Sequence, residues 1–342
     1  MQEQGNSQEK VNDIRFEDVE NTRQQYLTKS QAITKKRKKA ILISIAVALV
    51  IDAIVLLINN KAIFKPSITS SSVTMLATLM PLFVILVMEI VLIVLGVYLL
   101  TSGNATIEEY STYKRMYKGY FISRQLASIF TNLQYSHQLG LDRSILQNTQ
   151  LIDTGDRYQS NDLVKAEYKS TGFMQADVHI EERREEKDNE GHVRVYYVTL
   201  FKGRFLVFEF PKKFDFKMVI SFNGYNQSYI NPKTKRGLNR IETESPEFNK
   251  RFLVYAEDGF EAFCILNPVF IENLEKLGQK YNNNLALYFS DNQLFVGLND
   301  GGDAFEPPNP AVPINEEQEK AKVVSDMKLI TELVDNLKLS RP

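Results

Sequence analysis

Tryptophan is absent from this 342-residue chain, cysteine occurs once, at Cys264, and histidine three times, at His137, His179 and His192. A single cysteine excludes an internal disulfide and a thiolate metal cluster, and it suits a reducing compartment. No two histidines stand at ligand spacing, which argues against a histidine-based metal site. The sequence contains no GxxxxGK[ST], GxGxxG or GxSxG segment, so it offers neither a phosphate-cradling loop nor a nucleophile elbow. With 41 basic and 42 acidic residues the formal net charge is −1, which argues against nucleic acid as a partner. These absences point to a protein without a cofactor and without a metal, and to a non-enzymatic role.

What is present is a pair of apolar runs, Ala40–Ile58 and Val73–Leu100, each holding one acid, Asp52 and Glu89. About 20 apolar residues cross a bilayer as a helix. Lys35, Lys36, Arg37, Lys38 and Lys39 precede the first run, Lys114, Arg115 and Lys118 follow the second, and only Lys61 and Lys65 lie between them. That bias places both termini in the cytoplasm. The expected layout is a polar tail over 1–34, a transmembrane hairpin over 35–101 in the inner membrane, and a juxtamembrane helix over 102–150. A cytoplasmic α+β domain over 151–310 and a connector with a C-terminal amphipathic helix over 311–342 complete it. At 1.5 Å per residue both acids sit about 18 Å from the cytoplasmic edge. No basic residue shares either run, so they read as an ion path or, more simply, as contacts between helices or copies of the chain.

Beyond the hairpin, aromatic and aliphatic residues from Ile107 to Leu133 recur at helical spacing and predict a helix. From Phe173 the pattern turns to strands: Phe173–Glu182, Val193–Lys202, Arg204–Phe210, Phe216–Phe222, Phe252–Glu257, Phe260–Leu266, Leu285–Ser290 and Leu294–Leu298. Asp258-Gly259 and Asp291-Asn292-Gln293 read as hairpin turns. Asn267-Pro268 opens a helix over 269–281, and a last helix covers 316–339. The expected fold is α+β, with an antiparallel sheet of about eight strands that has the makings of a barrel.

Several segments carry a family resemblance: Tyr158-Gln-Ser-Asn-Asp162-Leu163 running on from Tyr168 to Asp177, Leu200 to Phe210, and Glu244-Ser-Pro-Glu-Phe248-Asn-Lys continuing to Asp258, with Leu266-Asn-Pro268 and Ser290-Asp-Asn292. In these the chain resembles bacterial two-span membrane proteins grouped as domain of unknown function 3137, over about residues 130–338. The resemblance implies membrane anchoring and an intracellular α+β domain, and it brings no catalytic residues with it.

The remaining candidates are polar clusters. Lys212, Lys213 and Lys217, with Lys233, Lys235, Arg236 and Arg240, form a cationic patch if their loops share a face, suited to anionic lipid or a phosphate-bearing ligand. Ordinary solvated loops are the plainer reading. Glu181–Asp188 reads as a solvated hairpin tip. Asp300-Gly-Gly-Asp303 lacks a third acidic ligand at a defined spacing and reads as a turn. Cys264 reads as a buried, inert thiol in a strand. Asp162, Glu244, Glu247 and Asp258 are the only foothold for catalysis and serve equally well as turn and capping groups. The expected function is a membrane-anchored module that binds a protein or anionic lipid. The alternative is a ligand-gated, two-span effector that oligomerises and permeabilises the bilayer.

Overall fold

The structure, a computed structural model, describes residues 14–63, 106–188, 191–223 and 230–337, with scattered helical positions between 87 and 96. The chain divides into two compact units, one of residues 17–116 with 309–313, the other of the first 16 residues with 117–308 and 314–342.

The first unit corrects the hairpin expectation. Tail, basic cluster and first apolar run merge into one helix, α1 (Phe16–Ile63), of 48 residues. Among the described residues no helix is long and apolar enough to cross a membrane. Asp52 falls within α1, but its side chain, like Glu89 and most of the second apolar run, lies outside the described residues. Arg23 is buried in this unit, paired with Glu20 and donating to the Pro310 carbonyl at 2.6 Å. A second helix, α2 (Ile107–Tyr117), closes the unit's sequence.

The second unit opens on a π-helical turn (Lys118–Ile122), followed by α3 (Ser123–Ile129) and β1 (Thr131–Ser136). Leu133, expected in the helix, therefore stands in a strand. Then come α4 (Arg143–Thr149), β2 (Arg157–Tyr168), β3 (Thr171–Lys187) and β4 (Val193–Phe222). A 3₁₀ turn (Pro232–Lys235) leads to β5 (Asn239–Ile241), α5 (Pro246–Arg251) and β6 (Phe252–Ala256). The chain ends with α6 (Gly259–Ile265), α7 (Pro268–Lys280), β7 (Leu285–Leu298) and α8 (Glu316–Asn336).

The described strands number seven and pair antiparallel in the order β1-β2-β3-β4-β6-β5, with β7 on the other side of β4. Among them β1, β5 and β7 are each paired along one side only, so the sheet is open where a barrel would close. Three expected breaks are continuous strand, the stretch 211–215 within β4 being one of them. β4 passes through Gly203, where an added Cβ would lie 2.0 Å from the Leu298 carbonyl oxygen of β7; glycine is there because two backbones meet. β7 passes through 291–293 and stays paired with β4 across two register shifts, between Glu209 and Phe214 and between Phe214 and Met218. Phe260–Leu266, expected as a strand, is mostly helix α6: Asp258 accepts from the Phe260 and Glu261 amides and caps it.

The sheet buries both faces. On one, Val178, Phe201, Phe205, Val207 and Val219 pack with Leu146 of α4, Leu151 and Ile152. The opposite face carries Phe173, Phe208 and Leu206, and is covered through Phe130 edge-on to Phe173 at 4.9 Å and Phe270 against Phe289 at 6.2 Å. α8 buries Val323, Met327, Ile330, Leu333 and Val334, one helical stripe.

Candidate functional site

The expected cationic patch is placed in part. Side chains of Lys212, Lys213 and Lys233 lie outside the described residues. Arg240 of β5 stands opposite Tyr255 of β6, and Tyr255 opposite Val219 of β4. Antiparallel partners share a face, so Arg240, Tyr255 and Val219 form one row. Lys235, from the 3₁₀ turn, joins them: its ammonium lies 4.7 Å and the Arg240 guanidinium 5.7 Å from the Tyr255 ring centroid. Two cations over one ring is a cation–π arrangement. Arg236 is exposed beside them.

Lys217 belongs to a different neighbourhood. Its ammonium pairs with Glu257 at 3.5 Å. It also lines a cavity of about 380 Å³ with Asn148, Thr149, Tyr288, Asp291 and Gln293. Glu257 and Asp291 offset its charge, so the unopposed cations are those around Tyr255.

The same sheet edge carries apolar surface. α6 packs beside β5, and an added Cβ on Gly259 would lie 3.6 Å from Ile241. Phe260 is 78% exposed and Phe263 49%. They stand three residues apart on one helical face. Cys264 follows them and is exposed, which corrects the expectation of a buried strand thiol.

A second polar centre was not foreseen as a unit. Lys118, the first residue of the π turn, has no exposed side-chain surface and pairs with Asp162, equally buried, at 2.5 Å and with Glu306 at 2.8 Å. The Tyr135 hydroxyl donates to Asp162 at 2.6 Å and the Asn161 amide at 2.7 Å. Asp162 sits at a β2 bulge with φ +57, and Phe305, buried between Asp303 and Glu306, has φ +65. Left-handed backbone at a bulky residue is costly, and such strain gathers at sites the surrounding structure over-determines. The Asp300-Gly-Gly turn delivers Asp303: Asp300 meets Arg204 at 3.4 Å, and Gly301 donates to the Lys202 carbonyl at 2.9 Å. Asp162, Asp303 and Glu306 each bring a carboxylate oxygen within 4.8 Å of the other two.

Asp177, opposite Arg204 in the β3–β4 ladder, lies beneath this group. It is 4% exposed, and no N–H or O–H donor reaches either carboxyl oxygen. The neighbour that acts on it by hydrogen bonding is the Asp303 carboxyl. Burial first, then Asp303 and Asp162, hold Asp177 well above the usual carboxylate range. Burial is also the largest influence on Asp162 and raises it, against the pull of Lys118 and Tyr135. Lys118 is raised too: burial, the largest single influence, works the other way, but Asp162 and Glu306 together outweigh it.

The proposed catalytic foothold does not gather. Asp162 is buried in this centre, whereas Glu244, Glu247 and Asp258 are exposed, Glu247 in the first turn of α5 and Asp258 as the cap of α6. His179 meets the Thr199 hydroxyl at 3.2 Å and His192 meets Asp188 at 3.1 Å. The Glu181–Asp188 cluster extends β3, its ion pairs exposed.

An open antiparallel sheet layered with helices defines an α+β domain. Residues 199–339 match the family model described as "Protein of unknown function (DUF3137)". The match runs from within β4 through α8. The Tyr158–Asp177 segment lies before the matched residues. No curated protein matches the chain. The crystal structure of the mycobacterial trehalose monomycolate transport factor A, TtfA, is similar over 67% of this chain and 96% of its own, with TM-score 0.36 and 8% identity. A likeness at that level carries no argument about this chain.

Proposed function

We propose that the α+β domain is a non-enzymatic binding module that docks on an anionic lipid surface through the sheet edge formed by β5 and α6. The observation that carries this reading is Phe260, 78% exposed on α6, beside the strand that holds Arg240. Exposed aromatic rings next to unopposed cations match what interfacial binding requires. Rings bury apolar area at the headgroup boundary. Each cation near an anionic leaflet adds about 1 kcal/mol. Lys235, Arg236 and Arg240 supply the charge, and Phe260 and Phe263 the apolar contact.

Flotation of the full chain with phosphatidylglycerol vesicles and with neutral phosphatidylcholine vesicles tests this. Binding to the anionic vesicles alone is expected, with loss in Lys235→Glu/Arg240→Glu and separately in Phe260→Ser/Phe263→Ser. All four positions are at least partly exposed, so the variants should fold. No flotation with anionic vesicles, or flotation unchanged in both double variants, overturns the reading.

A further inference from the structure

We propose that Asp162, Asp177, Asp303 and Glu306 form a binding site for a hard divalent cation of the Ca²⁺ kind. This goes beyond the lipid-docking reading and does not depend on it.

The donors are all carboxylate oxygens, the ligand set of hard cations. Asp162, Asp303 and Glu306 bring oxygens within 4.8 Å of one another. Ca²⁺ accepts six to eight oxygens in flexible geometry, whereas Mg²⁺ demands a near-ideal octahedron, so an irregular carboxylate cluster suits Ca²⁺ better. The three come from two elements, Asp162 from β2 and Asp303 and Glu306 from the loop after β7, fixed in place by the strained backbone at Asp162 and Phe305.

Asp177 supplies the independent pointer. It is 4% exposed, and no N–H or O–H donor reaches either oxygen, whose polar neighbour is another carboxyl, that of Asp303. A buried polar group without a partner is costly, and an ion is one of the few things that explains it. Gln175, two residues back on the same face of β3 and 1% exposed, also has neither amide atom bonded. It adds an unused neutral oxygen on the same face. Of the four carboxylates, two, Asp162 and Glu306, meet the Lys118 ammonium.

The centre is not sealed. Asp303 is exposed and Glu306 partly so, while Asp162 and Asp177 form the floor, which gives an entry path from the rim. Lys118 already counters part of the negative charge. Affinity in the range of about 10⁻⁴–10⁻³ M, that of the weaker natural calcium modules, follows from this competition.

The test titrates the full chain with CaCl₂, and in parallel with MgCl₂, by isothermal calorimetry, with thermal unfolding as a second readout. Ca²⁺ should bind and raise the midpoint, with Mg²⁺ weaker. Asp177→Asn and Asp303→Asn should each weaken Ca²⁺ binding by about tenfold or more, and Glu247→Gln, on exposed α5, should leave it unchanged. If Asp177→Asn does not fold, Asp303→Asn at the exposed rim decides alone. No heat and no midpoint shift with either ion up to about 10 mM, well above the weakest such modules, overturns the proposal. So does Ca²⁺ binding that persists unchanged in Asp303→Asn. No lipid enters the experiment, so its failure is distinct from a failure of lipid docking.

Discussion

Replacing Lys118 by methionine removes the ammonium from the buried centre and leaves the side-chain volume nearly intact. Asp162 then keeps only the Tyr135 and Asn161 donors, with no exposed side-chain surface. Glu306, 26% exposed at its side chain, reaches water, so the cost falls on Asp162. Removing one partner of a buried pair costs about 3–5 kcal/mol. The chain has a cheaper escape, which is to protonate Asp162. Each pH unit above the ordinary aspartate value of about 3.9 makes that escape about 1.4 kcal/mol dearer, so it costs about 4 kcal/mol at pH 7 and about 1.5 kcal/mol at pH 5. Asp162 in the variant is a group of raised folded-state pKa, whose stability is kept at low pH and lost as pH rises. The destabilisation of Lys118→Met should therefore grow from about 1.5 to about 4 kcal/mol between pH 5 and pH 7. Urea unfolding followed by circular dichroism at both pH values measures it, and Lys118→Met/Asp162→Asn should recover most of the loss at pH 7. A cost under about 1 kcal/mol at pH 7, the level of an exposed pair, or a cost equal at both pH values, refutes the argument.

Gly203→Ala places a methyl 2.0 Å from the Leu298 carbonyl oxygen. Because the obstacle is backbone in a paired strand, we expect a loss of about 3 kcal/mol or more, seen as a fall in the unfolding midpoint. Phe248, fully buried and stacked on Phe252 at 4.4 Å, should cost about 3–5 kcal/mol on truncation to alanine, measured by urea denaturation. Asp326 on α8 is raised, chiefly by burial and against Arg204. Its contribution is complete below about pH 4, the unfolded value, and is lost as pH rises through the folded one. Asp326→Asn should therefore gain midpoint relative to the parent above pH 4, and a variant profile parallel to the parent's contradicts this.

Local chemistry was legible where one reading fitted it. Asn267-Pro268 announces α7, and Asn267 accepts from the Phe270 amide at 3.0 Å, because a cap and a first-turn proline have few other uses. Asp258-Gly259 misled because the same dipeptide suits a hairpin turn and a helix start, and only the pairing of β6 between β4 and β5 decides between them. The 291–293 segment misled for a similar reason: only the pairing of β7 with β4 across two register shifts shows that the strand continues. The buried centre was visible in pieces. Asp162 and Asp303 were each singled out, but 141 positions separate them, and no local period links them. Lys118 was counted with the flanking positive charges. Its place between Tyr117 and Gly119-Tyr120-Phe121, all buried, is the signal that could have found it: a lone cation inside an aromatic stripe needs a buried partner. The hairpin expectation rested on run length, flanking charge and the family resemblance, and none of these tells where a helix begins or ends.

The account's central claim is that the β5–α6 edge meets an anionic surface by charge and aromatic contact together. Partitioning of the full chain onto phosphatidylglycerol vesicles, measured across a series of salt concentrations, tests it most directly. The account predicts binding that weakens steadily as salt screens Lys235, Arg236 and Arg240. Binding that is indifferent to salt, or equal on neutral vesicles, contradicts it.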